Sequence, residues 1–140
     1  MSLPEKEVYQ LLASNQELVD FLDEVRGVKT DYPYIFIGTP DDSFSTYENA
    51  PWIRITPIPG DMFDGADNKR FLEYPRLQVD FWIDKVKLDE LEKLEAMIYD
   101  TLHSAGLERY YKEHVVDADI PTLEMVQGNF EGLLIDNNRK

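Results

Sequence analysis

The sequence predicts an α+β fold: a mixed, mostly antiparallel sheet of about five strands, with two or three helices packed on one face. Three observations predict it. Between Arg76 and Ile83 the chain alternates, Leu77, Val79, Phe81 and Ile83 to one side and Arg76, Gln78, Asp80 and Trp82 to the other, which is the period of a half-buried strand. The period then changes, and Leu88, Leu91, Leu94, Ile98, Leu102 and Ala105 recur every three or four residues as the apolar stripe of a helix. At ~3.3 Å per residue for the strand and ~1.5 Å for the helix the two are similar in length, so the helix can cover the strand's apolar face from end to end. Thirdly, short β-like runs bounded by proline and glycine lie on both sides of this pair.

Taken in order, the chain begins with Ser2 and Glu5 in the spacing of a capping box and Pro4 suited to a first helical turn, and Val8, Leu11 and Leu12 share one face. Ser14-Asn15-Gln16-Glu17 repeats the cap pattern. We read a break there and a second short helix with Leu18, Phe21, Leu22 and Val25 as its apolar side, a single helix with Ser14 on its wet face being the alternative. Gly27 ends the helical region. Tyr34–Ile37 reads as a short strand between Pro33 and Gly38-Thr39-Pro40, and Asp41–Ala50 as loop. Trp52–Thr56 is a strand with Ile53 and Ile55 on one face and Trp52, Arg54 and Thr56 on the other. Pro57 and Pro59 stop it or confine its end to a sheet edge.

Gly60–Lys69 is a glycine- and aspartate-rich excursion, long for a hairpin connection and therefore either mobile or functional. In the central strand–helix pair, Asp84 suits an N-cap and Gly106 a C′ position, with Leu107 placed to close the helix end. Arg109–Val116 reads as a strand whose alternation is broken at Tyr110 and Tyr111. Asp117–Pro121 is a turn, and Thr122–Ile135 one long strand, or two with a bend at Gly128 or Gly132. Asn137–Lys140 is a polar tail expected to fray. Strands before the central helix are expected to pair antiparallel, and the strand after it to run parallel to the strand before it. No internal repeat appears, and residues 1–140 read as one domain.

Hydrophobic residues make up 43% of the chain and aromatics 12%, which excludes disorder throughout. Fourteen Lys and Arg face 28 Asp and Glu, a net charge of −14, so tight binding to nucleic acid or to an anionic membrane is excluded. Without cysteine there is no disulfide or thiolate chemistry. The acidic, amphipathic start MSLPEKEVYQLL lacks a basic segment and a long apolar run, so a soluble, non-secreted protein without signal peptide or membrane span is expected.

Catalytic constellations are not visible. His103 falls late on the central helix, where the helix dipole favours a cation, and His114 in the strand after it; no glycine-flanked serine elbow accompanies them. Asp61, Asp64 and Asp67 recur at a spacing unlike that of a calcium loop, with no closing glutamate, and no glycine run cradles a phosphate. The charged run Asp89–Glu95 is the wet face of the central helix. No catalytic residue, cofactor or metal site is therefore expected. Trp52 and Trp82 stand apart because both fall on the polar parity of their strands, beside Arg54 and Gln78. Aromatic rings in polar surroundings are typical of subunit contacts; alternatively, the two rings pack on each other across neighbouring strands.

The order of features resembles that of the tail-terminator and head–tail joining (neck) proteins of long-tailed phages and prophages. The likeness lies in LLASNQELVDFL, in PYIFIGTPDD followed by APWIRITPIP, in LQVDFWIDKVKLDELEKLEAMIYDTLHSAGL, and in the strand region from Asp117 onward. The resemblance implies a virion subunit, assembled in the host bacterial cytoplasm, that forms a ring of copies of itself, often a hexamer. It implies contacts with tail-tube or head-completion proteins, DNA passing through the lumen without tight binding, no catalytic residues and no membrane partner. It makes Trp52, Arg54, Gln78 and Trp82 candidates for a subunit interface. Asp61, Asp64 and Asp67 in the 60–69 excursion become candidates for contact with a neighbouring ring or tube. A rich proline content and an extended C-terminal strand region depart from the typical member. The rival readings are an acidic adaptor or DNA-mimic inhibitor and, more distantly, a carboxylate-site hydrolase.

Overall fold

The computed structural model describes residues 3–58, 62–64 and 72–132, with backbone alone for 62–64 and 72–74. Helix α1, Pro4–Ala13, starts with Pro4 in its first turn, where the missing N–H costs nothing. Leu3 occupies the N-cap position without a side-chain bond, so the expected capping box is not what starts the helix, and Ser2 lies outside the described residues. The break falls where expected, and it excludes a single long helix. Helix α2, Gln16–Arg26, is capped by Asn15 rather than Ser14: Asn15 Oδ1 accepts the Leu18 N–H at 3.2 Å. Asn15 Nδ2 also donates to Thr101 Oγ1 at 3.0 Å, which ties this corner to the central helix.

A five-stranded sheet follows, built from β1 (Ile35–Ile37), β2 (Trp52–Pro57), β5 (Arg76–Asp84), β6 (Leu107–Val116) and β7 (Leu123–Gly132) in the order β1-β2-β5-β7-β6. The β2–β5, β5–β7 and β7–β6 pairs are antiparallel, whereas β1 and β2 are parallel, contrary to the expectation for the early strands. The connection from Gly38 to Pro51 is not a hairpin. It is long enough to carry the chain back to the start of the sheet before β2 begins, with a 3₁₀ turn at Tyr47–Asn49.

Part of the excursion read as loop is strand: β3 (Met62–Asp64) pairs antiparallel with β4 (Leu72–Tyr74) as a separate two-stranded ribbon. Strand β6 points the same way as β5, as expected, but β7 lies between them. The Asp117–Thr122 turn folds β7 back into the sheet, where Leu123, Val126 and Phe130 are buried, and leaves the mostly exposed β6 at the edge. The broken alternation at Tyr110 and Tyr111 is a bulge, a register shift between Arg109 and Tyr111.

Helix α3, Leu88–Ser104, has Lys87 at its N-cap position. Asp84 instead shapes the preceding turn: its Oδ1 accepts the Val86 N–H at 3.1 Å and its backbone carbonyl the Lys87 N–H at 3.0 Å. At the other end Gly106 takes φ 104°, as a C′ glycine should, and Leu107 enters β6 almost fully buried. All three helices lie on one face of the sheet. Val8 and Leu12 of α1, Leu18 and Leu22 of α2, and Leu94, Ile98 and Leu102 of α3 close over Ile53, Ile55, Leu77, Val79 and Phe81 as one core. Truncating one such leucine to alanine costs ~2–5 kcal/mol. This layer makes a rigid platform, and the opposite face of the same strands carries the polar set.

Candidate functional site

On the face away from the helices, the β2–β5 register sets Trp52 opposite Trp82, Arg54 opposite Asp80 and Thr56 opposite Gln78. Strand β7 continues the rows with Met125, Gln127 and Asn129. One end of this face is aromatic and the other is polar.

At the aromatic end the two indoles stack, with ring centroids 5.2 Å apart and planes 14° from parallel. The long β1–β2 connection folds over them. Phe44 stands edge-on to Trp52 at 5.5 Å and to Tyr34 and Phe36 at 4.7 Å each. Leu123, Met125 and Ile120 close the cluster from the β6–β7 side. As a result Trp52 is 2% and Trp82 7% exposed. The two rings pack on each other across neighbouring strands, and neither is presented as a surface anchor. Parity correctly assigned their face; the covering loop decides their burial.

That loop is held by Arg26, a residue the sequence did not single out. Its side chain is 2% exposed. It donates to Pro51 O at 2.6 Å, to Asn49 O at 3.3 Å and to Asp23 Oδ1 at 2.9 Å, and its guanidinium lies 4.4 Å from the Tyr34 ring centroid. Burial lowers its pKa, against the opposing pull of Asp23. The one signal in the sequence is its place just before the helix-ending Gly27, where the helix dipole favours a cation; its reach to residues 49–51 has none.

At the polar end Asp80 is wholly buried. Arg54 Nη2 donates to Asp80 Oδ2 at 2.6 Å and Gln78 Nε2 to the same oxygen at 2.9 Å, while Asp80 Oδ1 and Arg54 Nε have no partner. Burial pushes the Asp80 carboxyl above its ordinary value, and the Gln78 and Arg54 hydrogen bonds pull it back down. The Arg54 guanidinium also sits 4.9 Å from the Trp82 ring centroid, joining the two ends of the face. Asp117, in the β6–β7 turn, accepts the Trp82 Nε1–H at 2.8 Å and, through its other oxygen, the N–H groups of Asp119 at 2.7 Å and Ile120 at 2.9 Å.

Between the covering loop and this turn lies a cleft of about 450 Å³, with Trp52, Trp82 and Arg54 in its lining and Thr39, Asp42, Asp117 and Asp119 around them. The structure thus brings Trp52, Trp82 and Arg54 to one place, with Gln78 reaching it through Asp80. Of the excursion's candidates, Asp61 and Asp67 lie outside the described residues, and Asp64 is described only as backbone of β3. Asp80 and Asp117 were missed as site residues because nothing in the sequence distinguishes them from the other acidic residues.

Both histidines belong to the seam between α3 and β6, where each pairs with carboxylates. His103 meets Glu108 at 3.2 Å and His114 meets Glu95 at 3.1 Å. Among the described residues no cluster of three or more His, Asp or Glu is arranged to hold a metal ion, and no helix is long and apolar enough to cross a membrane. The cleft combines an aromatic floor, an ion pair and an acidic rim, and this chemistry suits binding.

No protein-family model and no curated protein matches the sequence. The fold is similar to that of a chain in the solved structure of the virion of a native gene transfer agent particle, with a TM-score of 0.60 at 11% identity, covering 94% of this chain and 93% of that one. At that identity the likeness is one of fold.

Proposed function

We propose that this chain is a virion structural subunit of the tail-terminator or head–tail joining type. It works by assembling into a ring with its own copies and with tail-tube or head-completion proteins, and it catalyses no reaction. One observation carries the reading: the fold match to a chain of a gene transfer agent virion runs over 94% of this chain and 93% of that one, so all the main elements take part. The order of sequence features supports the same class independently. The net charge of −14 is consistent with a lumen through which DNA slides, because such a surface offers few cations to its phosphates.

The DNA-mimic alternative draws less support. On the wet face of the sheet Arg54 neutralises Asp80 and Arg76 meets Glu131 at 3.2 Å, which interrupts any phosphate-like row of carboxylates. The burial of Trp52 and Trp82 moves the proposed contact surface from the rings to the rim of the cleft they floor. Sedimentation velocity at rising concentration tests the reading. A discrete, concentration-driven species of several subunits is expected, and a monomer at every concentration would count against it.

A further inference from the structure

We infer that the cleft over the Trp52–Trp82 pair is a docking site for a lysine or arginine side chain carried on a segment of a partner protein. This deepens the assembly reading and rests on it only for the identity of the partner as a virion protein.

Charge selects the occupant. Asp42, Asp117 and Asp119 line the cleft against a single cation, Arg54, whose charge is already met by Asp80 at 2.6 Å. Burial works against ionisation of Asp117, but hydrogen bonds from the Trp82 indole and from the Ile120 and Asp119 N–H groups outweigh it and hold the carboxyl below the ordinary aspartate range. Asp117 therefore stays anionic at neutral pH. Trp82 is 7% exposed, with Trp52 stacked on it and Arg54 over its ring, so the floor offers apolar contact to the stem of an incoming side chain rather than a free indole face. A volume of about 450 Å³ lies within the range of ligand pockets and admits a long side chain with part of its flanking backbone. An anionic occupant would be repelled by these carboxylates, and a wholly apolar one would strip water from the exposed Asp42 and Asp119, which is costly.

The Trp82 Nε1–H, bonded to Asp117 at 2.8 Å, is a built-in reporter. Its ¹H–¹⁵N NMR signal is followed in the full chain during titration with N-acetyl-Gly-Arg-Gly amide, N-acetyl-Gly-Lys-Gly amide and N-acetyl-Gly-Glu-Gly amide. The expected result is a saturable shift with both basic tripeptides and none with the acidic one. Asp119→Asn should weaken binding about threefold, as loss of one exposed charge does. Asp119 is exposed and bonds within its turn through its backbone N–H, so the variant keeps the fold. No saturable shift with either basic peptide, an equal response to the acidic peptide, or unchanged binding in the variant would overturn the inference. A chain that stays monomeric yet binds the basic tripeptides would remove the ring and leave the cleft; a ring whose Trp82 signal ignores them would do the reverse.

Discussion

Trp52 and Trp82 stand opposite each other in the β2–β5 ladder, ring on ring at 5.2 Å, and the chain's own loops cover them both. Their burial makes them structural before they are anything else. Trp52→Ala is expected to destabilise the subunit by ~3–5 kcal/mol, the cost of emptying a large core position. Urea unfolding checks this. A loss within about 0.5 kcal/mol, typical of an exposed site, would show that the ring is not sealed in.

The Arg54–Asp80 pair makes stability depend on pH in a direction set by burial. Desolvation raises the Asp80 carboxyl above its ordinary value despite Gln78 and Arg54, so the folded chain keeps that proton to higher pH than the unfolded chain. Such a group contributes stability that is complete below the ordinary aspartate value of ~3.9 and is lost as pH rises through the folded value. Arg54→Met removes one of the groups that favour the carboxylate and pushes this loss to higher pH. The variant is expected to be about 3 kcal/mol less stable than the parent at pH 7, the low end for breaking a buried pair, and to suffer a smaller deficit at pH 4.5. Urea midpoints at the two pH values measure it; equal deficits would contradict the account.

Arg26 fastens the end of the loop that covers the indoles through the Asn49 and Pro51 carbonyls. Hydrogen bonds to a charged group contribute about 1.5–3 kcal/mol each, so Arg26→Leu should raise local opening of the loop tenfold or more. Hydrogen exchange at the Asn49 and Ala50 amides, which bond to Thr46 O and Tyr47 O, reads this opening. Exchange unchanged at both would remove Arg26 as the fastener.

Gly132 closes the β6–β7 pair against Leu107 with φ 147°. A Cβ there would overlap the Gly106 carbonyl oxygen, a backbone atom that cannot swing aside. Gly132→Ala is expected to cost about 2–3 kcal/mol in thermal or urea unfolding, from strain and displaced backbone together.

Those elements whose two faces differ could be read from the chain directly. In β5, Leu77, Val79, Phe81 and Ile83 are all buried, and in α3 Leu91, Leu94, Ile98 and Leu102 are, as their periods require, whereas Leu88, expected to begin the same stripe, is 61% exposed at the helix's first position. Local choices slipped by a residue or more where neighbours compete: Ser14 and Asn15 can both cap, and Asn15 prevails because its amide also reaches Thr101. Long-range choices were not legible. The parallel β1–β2 pairing depends on a connection that Arg26 holds from another element. The same loop turns the outward-parity tryptophans into a second small core. Asp80 looked like any wet-face carboxylate, because its burial comes from Arg54 and Gln78 assembling around it, a fact of register rather than of pattern.

The most direct test of the central claim is rotational analysis of electron micrographs of the purified chain, alone and mixed with a tail-tube or a head-completion protein. The account predicts closed rings with a central lumen and a single rotational symmetry. Isolated particles of one-subunit size in both samples would contradict it.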